Sequence, residues 1–383
     1  MYTPTWPGLS PRYLLRPEHA GELPFPFDAT DGRNFFYLAR NAIYHLFRTL
    51  HLGEHETVLV PDYHHGVEVR ALRAAGASIV FYPIDRRLEP DLDALARLCK
   101  SHPRVLYVIH FLGWPQPMRE IAELCKERGL LLVEDCALSL LSTPGGRPLG
   151  SVGDYAVFCL YKTLPLPNGG LLVQNGKAHE AIAAPELEPC GLPSLSARCL
   201  ELTLEWVRSR SDALGTLGAG LASLKRCAGR TLTALGMKRW PIGNMGFDPG
   251  QLNLAMSALS RHLFKRFDYE RIRERRRGNF LRMQERLAGR ATLLRTDLAE
   301  GVCPLFFPIL VPDKHAAALA LWRRGIGAVE FWNQGDPEAN NGGRSDAQFL
   351  REHVLELPIH QDLSAEHVDE MADAILQLEL KLS

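Results

Sequence analysis

The chain has 383 residues, enough for two domains sharing a substantial core, because single cores stop growing near roughly 250–300 residues. Its 44 basic and 44 acidic side chains cancel, so no long-range field points to nucleic acid or an anionic membrane, and a small-molecule substrate is expected. Eight cysteines without close pairs fit the free thiols of a cytoplasmic protein better than a disulfide framework or a zinc site.

Residues 1–30 are proline-rich and mixed in charge. They read as an extended arm without the basic start and apolar run of a secretory signal. No stretch approaches the roughly 18–20 apolar residues of a membrane span. Within 41–52, Ala42, Ile43, Leu46, Phe47 and Leu50 recur at helical spacing before Gly53, which predicts a first helix. Short apolar runs at 58–60, 79–84, 105–111 and 130–133 alternate with helical patterns such as 91–99 and 118–128. That alternation predicts a mostly parallel sheet between helices, an α/β class. Runs at 156–160 and 171–173 flank a Pro/Gly/Asn-rich turn and read as neighbouring strands.

From about 194 to 240 the rhythm breaks into a helical insertion with leucines beside a basic excess. Its glycines make one long membrane-surface helix costly, so packing over an active-site mouth or a partner subunit is expected, and membrane association is not. Beyond it, 247–287 is helical, and 305–311, 315–324 and 327–331 predict a smaller α/β domain. An exposed loop at 334–344 and a final helix at 365–380, capped by Ser364, complete the chain. The expected domains are the arm 1–30, a large domain 31–245 and a small C-terminal domain 246–383.

Two carboxylates, Glu134 and Asp135, end one apolar strand. Ligands gather at the carboxyl ends of such strands, and alternation lets only one of the two face a given side. A buried carboxylate there calls for a cationic partner, unless Asp135 is a helix cap. Lys162 is the one lysine between Lys126 and Lys177. Beside a proline/glycine turn it can act as a neutral amine when desolvated, or it can be an ordinary surface lysine. His64 and His65 are adjacent without a completing ligand, so no metal is expected. His110 reads as a turn residue, and Arg275-Arg276-Arg277 as a solvated helix face.

From about 40 to 173 the chain resembles the DegT/DnrJ/StrS sugar aminotransferases, which have the fold type I architecture of pyridoxal-phosphate enzymes. The motifs that carry the likeness are Val60-Pro61-Asp62-Tyr63, Gly76-Ala77, His110-Phe111-Leu112-Gly113-Trp114-Pro115, Glu134-Asp135-Cys136-Ala137, Gly150-Ser151-Val152-Gly153-Asp154, and Lys162 seven residues before Gly169-Gly170. Near the C-terminus Leu357-Pro358-Ile359-His360 also fits.

The resemblance implies pyridoxal 5'-phosphate as cofactor, held as a Schiff base by Lys162 with Asp135 on its ring nitrogen. It further implies glutamate as amino donor, a keto sugar, possibly nucleotide-linked, as acceptor, and a homodimer. His65 falls at the ring-stacking position and Cys159 nearest the phosphate-site serine. Arg40-Asn41 replaces the usual Gly-Thr phosphate turn, and the helix they begin could offer its N–H groups to a phosphate. Leu138 stands where Gln or His commonly supports the ring, and 158–162 is two residues short of the common pattern. These departures leave open another pyridoxal-phosphate reaction on the same scaffold, or a non-catalytic binding protein with the same fold.

Overall fold

Seven segments of the first half build one sheet. The computed structural model describes residues 2–15, 17, 22–29, 31–53, 56–176, 185–210, 220, 247–339, 345–378 and 380. Its strands are β1 (Arg33–Phe36), β2 (Thr57–Pro61), β3 (Ser78–Tyr82), β4 (Val105–Ile109), β5 (Leu131–Asp135), β6 (Tyr155–Cys159) and β7 (Gly170–Gln174), in the order β1-β7-β6-β5-β4-β2-β3. Pairings from β3 through β6 are parallel, and the β1 and β7 edge is antiparallel. Every residue of β4, β5 and β6 is buried, as a sheet covered on both faces requires.

Helices α1 (Arg12–Leu15), α2 (Ala39–Thr49), α3 (Val67–Ala74), α4 (Leu92–Leu98), α5 (Met118–Arg128), α6 (Leu160–Thr163) and α7 (Leu192–Arg208) belong to this half. The expected helix at 118–128 coincides with α5, whereas the one at 41–52 begins earlier, at Ala39, because extended Leu38 precedes it. Gly170 opens β7 where a Cβ would lie 2.3 Å from the main chain of Leu38. Only glycine lets β7 approach the start of α2 so closely.

The second half contains α8 (Ala258–Leu263), α9 (Tyr269–Leu287), α10 (Lys314–Arg323), α11 (Asp346–His353) and α12 (Ala365–Gln377), with β8 (Thr292–Leu293), β9 (Phe306–Leu310) and β10 (Val354–Pro358) in an antiparallel sheet ordered β10-β9-β8. Ser364 caps α12 through a reciprocal box with His367. The run at 327–331 is not the strand its pattern predicts; a single bridge joins Val329 to Glu356. Side chains occupy the main-chain groups that a ladder would use, since Lys314 donates to Phe331 O and Phe331 N donates to the Glu356 carboxylate at 3.2 Å.

The arm is not free. Thr3 bridges Ile326, Gly8 N donates to Asp362 at 2.8 Å, and Leu9 N donates to Leu202 O at 3.0 Å. Trp6 sits 5.1 Å from the Phe306 ring. The insertion begins as α7, while 211–219 and 221–246, the expected 245/246 division and the loop residues 340–344 lie outside the described residues. Among the described residues no helix is long and apolar enough to cross a membrane.

Candidate active site

At the carboxyl ends of β4, β5 and β6 lies a cavity of about 300 Å³ whose lining includes Ile109, Asp135 and Cys159. Strand alternation sorts the two carboxylates. Asp135 faces the cavity, whereas Glu134 turns to the other side and accepts from the amides of Gly150, Val152 and Gly153 at 2.9, 2.7 and 2.6 Å. Burial pushes Glu134 up, but its bond to His110 and these amides outweigh that and hold it below the usual carboxylate range. His110 accepts from Gln116 N at Nδ1, so Nε2–H donates to Glu134 at 2.9 Å. Asp154 accepts from Leu132 N at 2.8 Å. The Gly150–Asp154 turn is thereby bolted to β5, and the close group of His110, Glu134 and Cys136 is explained by hydrogen bonding.

Asp135 accepts from the Tyr107 hydroxyl at 2.6 Å and from Ala137 N at 2.8 Å. No helix directly follows β5, so Asp135 is not a helix cap; its carboxylate ties a turn while facing the cavity. Burial raises its pKa and nearby Glu68 raises it further, against the opposing pull of these bonds and of Lys162. A cation brought against Asp135 is what lets it ionise. Lys162 sits on α6, immediately after β6, with Nζ 5.6 Å from the Phe331 ring centre. It is the one lysine lining the cavity among the described residues.

Arg40, His65, Leu138 and Cys159 line the same cavity, as the sequence predicts; Asn41 does not. The Asn41 side chain is fully buried and its amide donates to Gln251 O at 2.6 Å, so α2 turns it away from the site. Of the histidine pair, His64 lies between Pro61 O and Asp336 N, each 2.9 Å away. His65 alone faces the cavity, with a buried Nδ1 that lacks a partner. Burial, and after it Lys162 and Arg40, pull its pKa down to about 3.

His65 is therefore neutral at pH 4.5 while the unfolded chain, with an ordinary value near 6.5, takes up a proton. Its contribution to stability is complete above pH 6.5 and is lost as pH falls toward 3. His65→Phe removes this loss. Between pH 7.5 and 4.5, the urea-unfolding free energy of the variant should gain about 3 kcal/mol on wild type.

Four features were not visible in the sequence. Glu68, buried on α3, lines the cavity and accepts from His65 N at 2.7 Å. Phe331 and Trp332 bring a wall from the second half, and Trp6 adds one from the arm. Arg198 and Glu201 of α7 also line the cavity. The first helix of the insertion thus contributes to the cavity wall.

The fourth is Arg276. It is 1% exposed, contrary to a solvated run, and donates to Gln361 Oε1 at 3.0 Å, Leu305 O at 3.0 Å and Thr163 O at 3.2 Å. Arg275 donates to Leu363 O, and Arg277 to Ala299 O and Val302 O. A charge pattern marks a helix as polar but cannot reveal carbonyl clusters from distant loops that fit a guanidinium fork. Thr163 closes α6, so Arg276 holds the turn that carries Lys162. Arg276→Met should cost about 3 kcal/mol in denaturant unfolding, because buried carbonyls lose their donor.

Residues 39–201 match the model of the DegT/DnrJ/EryC1/StrS aminotransferase family. Among curated relatives, dTDP-4-dehydro-2,3,6-trideoxy-D-glucose 4-aminotransferase of Saccharopolyspora spinosa is 30% identical over 177 residues, 45% of each chain. GDP-perosamine synthase of Escherichia coli O157:H7 is 29% identical over 131 residues, 33% of this chain and 36% of the enzyme. The chain thus matches less than half the length of these relatives. The likeness of fold extends further than sequence identity does: Helicobacter pylori PseC, an aminotransferase involved in the biosynthesis of pseudoaminic acid, superposes with TM-score 0.68 over 99% of both chains at 16% identity. DesV of S. venezuelae, solved with a ketimine intermediate, gives 0.63 at 19% identity over 92% of this chain and 86% of its own.

Proposed function

We propose that the chain is a pyridoxal-phosphate-dependent aminotransferase that moves an amino group from glutamate to a keto sugar carried on a nucleotide. The observation that carries this reading is the convergence of Lys162 and buried Asp135 on one cavity at the strand ends. The family match and the sugar aminotransferases among the relatives support it.

The residues fit the cofactor. Asp135 is a buried acid that a pyridinium N–H would let ionise. His65 offers a ring face and an unpartnered Nδ1, and Arg40 a guanidinium for a phosphate. Pyridoxal phosphate, when bound, supplies an electron sink for the bond being broken at the amino acid's Cα. The chain's own part is acid–base work and exclusion of water. The Lys162 amine would take the proton from the substrate Cα and deliver it to the cofactor's aldehyde carbon, Asp135 would hold its carboxylate at a fixed place, and Trp6, Phe331 and Trp332 would limit solvent access. Tyr107 and Ala137 keep Asp135 oriented throughout.

The test is direct. Protein incubated with pyridoxal phosphate should show a bound-cofactor absorbance band that glutamate converts, with release of 2-oxoglutarate; the absence of a band after incubation refutes the reading in favour of a non-catalytic protein. We also propose a homodimer, checked by light scattering at about twice the chain mass.

A further inference from the structure

We propose that Arg198 is the residue by which the site recognises the anionic group of an incoming substrate, with Glu201 holding the guanidinium in place until that anion arrives. The inference rests on the aminotransferase reading and adds the residue that selects the substrate.

Arg198 and Glu201 share one side of α7 and line the cavity that contains Lys162 and Asp135. They pair at 2.9 Å across one helical turn. On an open surface such an i,i+3 pair contributes little. Here the Arg198 side chain is only 15% exposed and its Nε is buried without a hydrogen-bond partner. An N–H left unmade in a pocket wall is costly to keep, and it is answered once an acceptor enters.

The placement also points to an anion. The charges of Arg40 and Arg198 both bear on the Tyr161 hydroxyl, from α2 and from α7. Tyr161 itself lines the cavity beside Lys162. Two guanidiniums thus act on the Tyr161 hydroxyl in the cavity wall, which Asp135 and Glu68 also line. With Arg40 assigned to a phosphate of the cofactor, Arg198 is left for the substrate. Its fork suits a carboxylate or a diphosphate bidentately. The amino donor carries the first group and a nucleotide-linked sugar the second, and an anion entering the cavity displaces the Glu201 carboxylate.

Trp6 and Trp332 line the same cavity, so intrinsic fluorescence reports its filling without turnover. The full chain, with and without pyridoxal phosphate, is titrated with glutarate in one arm and with uridine diphosphate in the other. Arg198→Gln should weaken binding of one of them at least tenfold, Arg198→Lys should restore part of the loss, and Glu201→Gln should tighten the same ligand. Loss confined to glutarate assigns Arg198 to the donor carboxylate, and loss confined to uridine diphosphate assigns it to the acceptor. If the two ligands bind Arg198→Gln as they bind wild type, or neither binds wild type, the proposal fails. A merely structural ion pair would show equal shifts in unfolding midpoint for Arg198→Gln and Glu201→Gln with no change in either titration. Borohydride reduction followed by peptide mapping runs alongside. Failure to label Lys162 in wild type would sink the aminotransferase reading, while the titrations without cofactor still judge Arg198.

Discussion

Lys162→Ala should lower aminotransferase turnover by at least about a thousandfold, the scale of a lost general base together with a lost covalent anchor. The reason is local. Among the described residues no other lysine lines the cavity, so no amine can substitute by a small shift. Lys162 is half-buried on a four-residue helix whose backbone is held independently, with Leu164 N bonded to Leu160 O at 2.9 Å and Thr163 O accepting from Arg276 and Gln361. The variant should therefore fold. Borohydride reduction after incubation with pyridoxal phosphate should leave wild type, but not the variant, with the cofactor mass on the peptide containing residue 162. Cofactor found on a different lysine of wild type would overturn the assignment.

Asp135→Asn tests the opposite wall. Asparagine can still accept from Ala137 N and stay near the Tyr107 hydroxyl, yet it carries no charge to hold a pyridinium. Stopped-flow spectra should show the half-reaction with glutamate slowed about a hundredfold or more, the scale set by a misplaced or missing electrostatic partner. Stability should move by less than about 1 kcal/mol, because burial already favours the neutral acid at this position. The two readouts separate the roles. Asp135→Asn that reacts at the wild-type rate but unfolds more easily would make the residue a turn anchor alone.

The acid residues of the candidate site were legible from a short-range rule, and the lysine from the family resemblance. Glu134 and Asp135 are sorted by the two-residue period of β5, while Lys162, just past the end of β6, was marked by its place before Gly169-Gly170 in the resembled family. Cys159, His65, Arg40 and Leu138 were singled out by the positions they take in the family resemblance, and all line the cavity. Asn41 did not, since one step along α2 rotates a side chain by about 100° and sends it to Gln251. The run at 327–331 failed for a related reason. Its composition suits a strand, but the Lys314 and Glu356 side chains claim the main-chain groups of Phe331.

What the sequence alone determined is the parallel sheet and the carboxyl-end location of Glu134 and Asp135, consequences of periodicities that act within about a dozen residues; the pairing of Lys162 with Asp135 came from the family resemblance. Tertiary structure decided the rest of the cavity. Trp6, Phe331 and Trp332 arrive from opposite ends of the chain, Arg198 and Glu201 from a helix after the lysine turn, and Arg276 becomes a buried anchor only because Thr163, Leu305 and Gln361 gather around it. No local pattern encodes these meetings. They exist because burying apolar surface on both faces of the sheet brings distant segments together, and most polar groups caught there find a hydrogen-bond partner in whichever segment lies opposite.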